Sequence, residues 1–131
     1  MQELAQRGPL TRLSNRRALE RDLEQSVAAS GADWRLAIVD VDGMKEVNDT
    51  LGHAAGNGLL RRFATGFAEQ IGNDGQAYRI GRDEFSLLLS DRQPSAREIV
   101  DAVTQNIRSI YPGAKASVGT AYWQSGEAAE T

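Results

Sequence analysis

The sequence predicts an α+β fold in which helices pack on a mainly antiparallel sheet. Apolar runs of strand length alternate with stretches in which apolar residues recur every three or four positions. Two of the predicted strands are separated by a tight turn, which makes them antiparallel neighbours. The order is helix, strand, helix, strand, strand, helix, strand, and its last six elements form the βαββαβ order of a ferredoxin-like fold, with the helices on one face of the sheet. All 131 residues are assigned to a single domain.

The first three elements are predicted from a helix start, a β-rich run and an amphipathic pattern. Ser14 and Asn15 favour a helix start, and apolar residues then recur every four positions until Gly31. The run WRLAIVDVD, residues 34–42, is rich in β-branched residues and too short for a helix, which indicates a central strand. A polar stretch without an assigned element follows, and the apolar spacing of residues 54–71 predicts the next helix.

The second half of the chain is predicted to form a hairpin, a helix and a last strand. Residues 76–80 and 84–89 are the hairpin strands, joined by a two-residue type II′ turn with Gly81 at its first central position. Ser95 opens a capping-box sequence, and the helix that it begins is predicted to continue to Pro112. A short β-rich run then forms the last strand.

The composition argues against several classes of function. The formal net charge of −3 gives no basic surface for binding long nucleic acid. The sequence has no Cys and one His, so it predicts neither disulfides nor a His-rich metal site. Its apolar runs are too short to span a membrane. We therefore expect a soluble, cytoplasmic domain in which any phosphate binding depends on local groups or on a metal ion.

Acidic residues occur at two places that the predicted sheet brings together. Asp40 and Asp42 end the first strand, and Asp83 and Glu84 lie in the turn of the hairpin that should neighbour it. Carboxylates held close together repel each other unless a cation joins them, and Mg²⁺ prefers such oxygen ligands. The alternative is that these acids are solvated turn residues, which are common.

A short polar segment after the first strand is suited to phosphate. Gly43 lets backbone N–H groups approach an anion closely, and Lys45 supplies a positive charge. Together with the acids, this segment predicts a two-carboxylate metal site beside a small phosphate-binding loop.

Four blocks of the sequence occur in one order and spacing: LTRLSNRR, DVDGMKEVNDTLGHAAGNGLL, RIGRDEFSLLL and ASVGTAY. Over residues 10–122 they resemble the GGDEF family of diguanylate cyclases, with a variant GRDEF signature. Four coordinated blocks are far more specific than one short motif.

The resemblance implies the nucleotide-cyclase palm fold, which agrees with the order of elements above. It also implies a reaction in which two GTP molecules, one on each of two facing domains, condense into cyclic di-GMP and release pyrophosphate. Mg²⁺ or Mn²⁺ is the implied cofactor, a homodimer of domains is the implied catalytic unit, and a larger sensory protein is the implied context. The alternative is a degenerate GGDEF module that binds GTP or a partner protein and regulates without turnover.

The resemblance assigns the catalytic residues one by one. Asp40 and Asp83 match the metal ligands. Glu84 matches the fourth signature position beside the reacting groups, and Lys45 matches the residue that contacts the phosphates.

The substrate-binding residues are assigned in the same way. Gly43 and Met44 match the backbone that holds the phosphates, and Asn48 matches a guanine contact. Gly81 and Arg82 lie where the nucleotide passes the hairpin turn.

Three of these positions depart from the family pattern. Arg82 replaces the second signature glycine, so a bulky side chain stands where the nucleotide approaches. Met44 replaces the usual Phe, which is a mild change. Asn57 replaces the usual Asp at the second guanine contact; because its NH₂ group donates, it reads the two donors of guanine less well and suits adenine better.

Two family features are not found in the sequence. The product-inhibition motif, Arg-x-x-Asp, would fall at residues 72–75, which read GNDG. The family's last helix, with a Lys and an Arg for the phosphates, would lie beyond Thr131. The missing helix, together with Arg82 and Asn57, favours the degenerate alternative, whereas the intact Asp40, Asp83, Lys45 and Asn48 favour the cyclase.

Overall fold

The computed structural model describes residues 10–11, 13–27, 34–90 and 93–123. Its strands there are β1 (Trp34–Asp42), β2 (Gln76–Arg79), β3 (Glu84–Ser90) and β4 (Lys115–Trp123). Its helices there are α1 (Arg16–Asp22), α2 (Met44–Leu51), α3 (His53–Ile71) and α4 (Ala96–Ile107), with a π-helical segment, Leu23–Val27, after α1. The strands form one antiparallel sheet in the spatial order β2-β3-β1-β4. The predicted α+β class and βαββαβ order are confirmed.

The main core lies between the sheet and the two helices α3 and α4. Alternate residues of the central strands β1 and β3 point to this face, as expected for a sheet with one covered side. Phe67 of α3 contacts Phe85 of β3 edge-on, with ring centroids 5.4 Å apart. The fully buried side chains of this layer include Val39, Leu59, Phe63, Phe67, Phe85, Leu87, Leu89 and Ile99.

The N-terminal helix α1 packs on the opposite face of the sheet. Asn15 begins it, because its side-chain oxygen accepts a hydrogen bond from the Ala18 amide at 3.1 Å. The buried Tyr78 of β2 donates its hydroxyl to Asp22 Oδ2 at 2.6 Å. Burial and this hydrogen bond raise the pKa of the Tyr78 phenol above its ordinary value. The predicted end of the first helical stretch, Gly31, lies outside the described residues.

Helix α4 begins as predicted but ends earlier. The Ser95 hydroxyl accepts from the Glu98 amide at 3.2 Å, which caps the first turn. The helix ends at Ile107, because the amides of Ile110 and Tyr111 both donate to the Ile107 carbonyl and turn the chain. The prediction that it continues to Pro112 is therefore wrong.

The polar stretch after β1 contains a helix that the sequence prediction missed. Helix α2 follows Gly43, which has φ +76°, and ends at Gly52, which has φ +92°. Both values lie in the region that glycine adopts most readily. Eight residues, of which Met44 alone is buried, give too little apolar periodicity to be recognised.

Candidate active site

The sheet register brings the predicted acidic residues to one corner of the molecule. Asp40 of β1 lies directly across from Glu84 of β3, so their side chains share one face of the sheet. One residue further, the Val41 amide donates to the Asp83 carbonyl at 2.9 Å. The hairpin loop is thus held against the end of β1, next to Asp40.

The hairpin loop differs from the predicted type II′ turn. Gly81 is not among the glycines with positive φ, which a type II′ turn requires at that position. The Ile80 and Gly81 amides both donate to the Glu84 carbonyl, at 3.0 and 3.3 Å, leaving residues 81–83 as a three-residue loop. A Cβ at Gly81 would overlap the Glu84 carboxylate. Glycine is therefore suited to position 81 because it leaves room for the Glu84 carboxylate. The prediction of a type II′ turn is wrong.

Arg79 supports this loop, and the sequence analysis missed it. Its guanidinium donates to the Arg82 carbonyl from Nη2 at 2.7 Å and from Nε at 3.3 Å. Burial lowers the pKa of Arg79, and the nearby Asp83 carboxylate opposes that change. The signal available in the sequence is an arginine two residues before Gly81, but its target is a backbone carbonyl that sequence patterns do not reveal. The Arg82 side chain itself is exposed.

The fourth strand adds two polar residues that the sequence analysis also did not assign. Ser117 lies across from Asp40, and Lys115 lies across from Asp42. The Ser117 hydroxyl donates to Asp42 Oδ2 at 2.8 Å. Asp42 therefore has a protein partner, whereas the Asp40 side chain is exposed at the same strand end.

The predicted phosphate-binding segment is the start of helix α2. The N-cap residue Gly43 has no side chain to cap this start, and the backbone N–H groups of the first turn are the ordinary binding groups for an anion. Gly43 adopts a left-handed conformation there, and Lys45 is exposed in the first turn. Since α2 follows β1 directly, this segment adjoins the acidic corner.

The two predicted base-contacting residues lie where α2 meets α3. Asn48 is half-buried on α2, and its Oδ1 atom is buried without a hydrogen-bond partner among the described residues. Asn57 is exposed on α3, next to Gly56, which contacts Asn48. Met44 is buried and reaches the same glycine.

The strand-end corner carries three acidic residues. Asp40, Asp83 and Glu84 contribute carboxylate oxygens, which suit Mg²⁺ or Mn²⁺. Within the described ranges, no group of three or more acidic, His or Cys side chains is placed to hold a metal ion.

A groove of about 480 Å³ lies elsewhere, between α3 and α4. Arg61, Arg62 and Tyr111 contribute to its walls, and none of the predicted site residues lines it.

Comparison with known proteins gives the family. The sequence profile described as "Diguanylate cyclase, GGDEF domain" matches residues 5–130. The chain belongs to the GGDEF family. Within the part of this GGDEF domain that the structure describes, no helix has the length and apolar character needed to cross a membrane.

Curated relatives of this GGDEF domain include two proteins of Escherichia coli K12. The probable diguanylate cyclase DgcJ is 32% identical over 107 residues, which are 79% of this chain and 22% of DgcJ. The diguanylate cyclase DosC is 35% identical over 85 residues, which are 63% of this chain and 18% of DosC. The chain therefore spans about a fifth of the length of these relatives.

Solved GGDEF structures share the fold. Diguanylate cyclase SiaD of Pseudomonas aeruginosa, solved with its activator SiaC, has a TM-score of 0.76 and 31% identity over 98% of this chain and 54% of that one. The coiled coil and GGDEF domain of DgcB from Caulobacter crescentus, solved with c-di-GMP, has a TM-score of 0.81 over 98% of this chain and 75% of that one. At 23% identity, the second comparison supports the fold alone.

Proposed function

We propose that this GGDEF domain is a diguanylate cyclase, which condenses two GTP molecules into cyclic di-GMP and releases two molecules of pyrophosphate. The observation that carries the proposal is the strand register. It places Asp40 across from Glu84 and holds the Asp83 loop against the end of β1. The uncapped start of α2 adjoins this corner, so groups suited to a metal ion and to phosphate lie side by side.

Asp40 and Asp83 are the residues that would hold Mg²⁺ or Mn²⁺. In proteins, Mg²⁺ is usually held by one or two carboxylates together with substrate phosphates, which agrees with a two-carboxylate site. When bound, the cation neutralises charge on the reacting phosphate and on the leaving pyrophosphate.

The chain's own groups bind the triphosphate and hold its reacting end. The amide of Met44 and the ammonium of Lys45 receive phosphate oxygens at the start of α2, where the helix dipole also favours negative charge. Glu84 lies beside the reacting groups, and the absence of a side chain at Gly81 leaves room for its carboxylate. Gly43 gives the backbone the left-handed turn that this arrangement needs.

The guanine base is assigned to Asn48 and Asn57 at the α2–α3 corner. Asn57 can accept one hydrogen bond from the base edge with its oxygen, whereas a carboxylate there could accept two. We therefore expect weaker selection of guanine over adenine than an Asp at this position would give.

The catalytic unit in this proposal is a pair of domains, because each domain binds one GTP and the product joins the two nucleotides. The curated relatives are much longer than this chain, and SiaD was solved with an activator protein. These facts support a place within a larger signalling protein whose other parts regulate the pairing of domains.

The test is incubation of the domain with GTP and MgCl₂, followed by chromatographic identification of the products. Cyclic di-GMP and pyrophosphate are expected, with a rate per domain that rises with protein concentration. Binding of GTP without any product over a wide range of protein concentration would instead support the regulatory, non-catalytic alternative.

A further inference from the structure

The contact between Asn48 and Gly56 is unusually close for two neighbouring helices. A Cβ built at Gly56 would overlap Asn48 Oδ1 and would lie 3.0 Å from Cγ of the same amide. The methyl end of Met44 would be 3.2 Å from that Cβ. The absence of a side chain at Gly56 therefore leaves space on the surface of α3, and the amide of Asn48 occupies that space.

The two ends of this amide have different surroundings. Oδ1 is buried, and no donor in the described part of the chain reaches it. Among the described residues the NH₂ end makes no side-chain hydrogen bond, and it is not one of the buried unpaired atoms, so it is not fully buried. The amide thus turns its acceptor inward, against Gly56, and its donor outward.

The absence of a side chain, and not backbone freedom, is what this position requires. Gly56 is not among the glycines with positive φ, so alanine could adopt its backbone conformation. A helix with glycine at an interior position is less stable than the same helix with alanine there. A glycine buried in the first turns of α3 therefore needs a packing reason, and the Asn48 amide supplies it.

We propose that Gly56 is a positioning residue for Asn48: it fixes the amide so that its NH₂ group is offered to a hydrogen-bond acceptor on the ring of a purine nucleotide. This rests on the proposed function in one respect, which is that the α2–α3 corner binds the base of GTP. Gly56 does not touch the nucleotide and acts through Asn48.

The test compares Gly56→Ala with Gly58→Ala. Both substitutions add one methyl group to α3 and raise its helix propensity. At Gly58 the new Cβ would meet the Tyr111 hydroxyl alone, at 3.0 Å, so that variant is a matched control that leaves Asn48 in place.

Calorimetry with Mg²⁺ then measures binding of GTP, 3-deaza-GTP and 7-deaza-GTP, the last two each lacking one ring acceptor. In the parent domain we expect one deaza analogue to bind about tenfold more weakly than GTP. Gly56→Ala should weaken GTP binding and abolish that difference, whereas Gly58→Ala should keep both. If the parent domain binds GTP and both analogues equally, the Asn48 NH₂ group does not donate to a ring acceptor of the base, and the proposal is overturned.

A measurement without nucleotide separates this inference from the proposed function. The side-chain NH₂ signals of Asn48 in a ¹⁵N NMR spectrum should shift in Gly56→Ala and stay in place in Gly58→Ala. If the parent does not bind GTP, the proposed function fails, and these signals alone decide whether Gly56 positions Asn48. Unshifted signals in Gly56→Ala, or a loss of GTP affinity with the deaza difference intact, would contradict the inference.

Discussion

The two parts of the candidate site are held in place by different kinds of interaction. At the strand-end corner, backbone hydrogen bonds set the positions: Asp40 is fixed by pairing with Glu84, and the Asp83 loop by the bond from the Val41 amide. At the helix corner, side-chain packing sets the position of Asn48, through a glycine that leaves room for it.

This difference has a consequence for mutagenesis. Apart from Arg79, whose guanidinium supports the hairpin loop, side chains at the strand-end corner can be exchanged while the backbone keeps its geometry, so such changes remove chemistry and leave the fold intact. At the helix corner, one added methyl group moves a functional side chain. The predictions below test each half of this contrast, in order of expected effect.

The largest effect is expected from Asp83→Asn. The substitution removes a carboxylate proposed to bind the metal ion and keeps the side-chain size, so cyclic di-GMP formation should fall by at least about a hundredfold. The free energy of unfolding should change by less than about 1 kcal/mol. Product chromatography and thermal unfolding measure the two quantities.

Asp42→Asn is the control for this prediction. Asp42 already accepts a hydrogen bond from Ser117, so its loss should lower turnover by less than about tenfold. Equal losses of turnover in Asp42→Asn and Asp83→Asn would contradict the different roles given to these two acids.

An intermediate effect is expected from Arg79→Lys. Lysine keeps the positive charge but cannot make both hydrogen bonds to the Arg82 carbonyl, so the loop that carries Asp83 should become less ordered. Turnover should fall by about tenfold at saturating GTP. Steady-state kinetics check this, and an unchanged kcat would show that the backbone bonds hold the loop without Arg79.

Asn57→Asp tests the helix corner through base selection. A carboxylate can accept from both donors of guanine, so the ratio of kcat/KM for GTP over ATP should rise by about tenfold. Competition between the two nucleotides measures this ratio. A rise in kcat with an unchanged ratio would place Asn57 away from the base.

The smallest effect is expected from Arg82→Gly. The Arg82 side chain is exposed, and the residue contributes its backbone carbonyl to the bonds from Arg79, so the loop should persist without the side chain. Removing its bulk should raise GTP turnover by about threefold and leave the base preference unchanged. Weaker GTP binding at constant kcat would instead identify Arg82 as a phosphate ligand.

The sheet could be predicted from the sequence, because strand length, β-branched composition and the hairpin leave few alternatives. Helix α2 could not, since glycines bound it at both ends and little of it is buried. The end of α4 was also missed, because apolar spacing does not report burial. Ile110 continues the apolar spacing of the helix but is 50% exposed.

For the site, the sequence predicted that the end of β1 lies beside the hairpin, but not what supports the hairpin loop. The neighbouring positions of Asp40 and Glu84 follow from strand pairing, which hydrophobic patterns reveal. The bonds from Arg79 to a carbonyl and the fit of Asn48 against Gly56 depend on three-dimensional contacts between segments, for which the sequence carries no periodic signal.

The most direct test of the account is whether Asp40 and Asp83 hold one cation together with the nucleotide. Electron paramagnetic resonance can measure Mn²⁺ binding in the presence of a non-hydrolysable GTP analogue. We predict that Asp40→Asn and Asp83→Asn each weaken Mn²⁺ binding by about tenfold or more, and that the double variant is little worse than either single one. Unchanged Mn²⁺ affinity in both single variants would contradict the shared metal site.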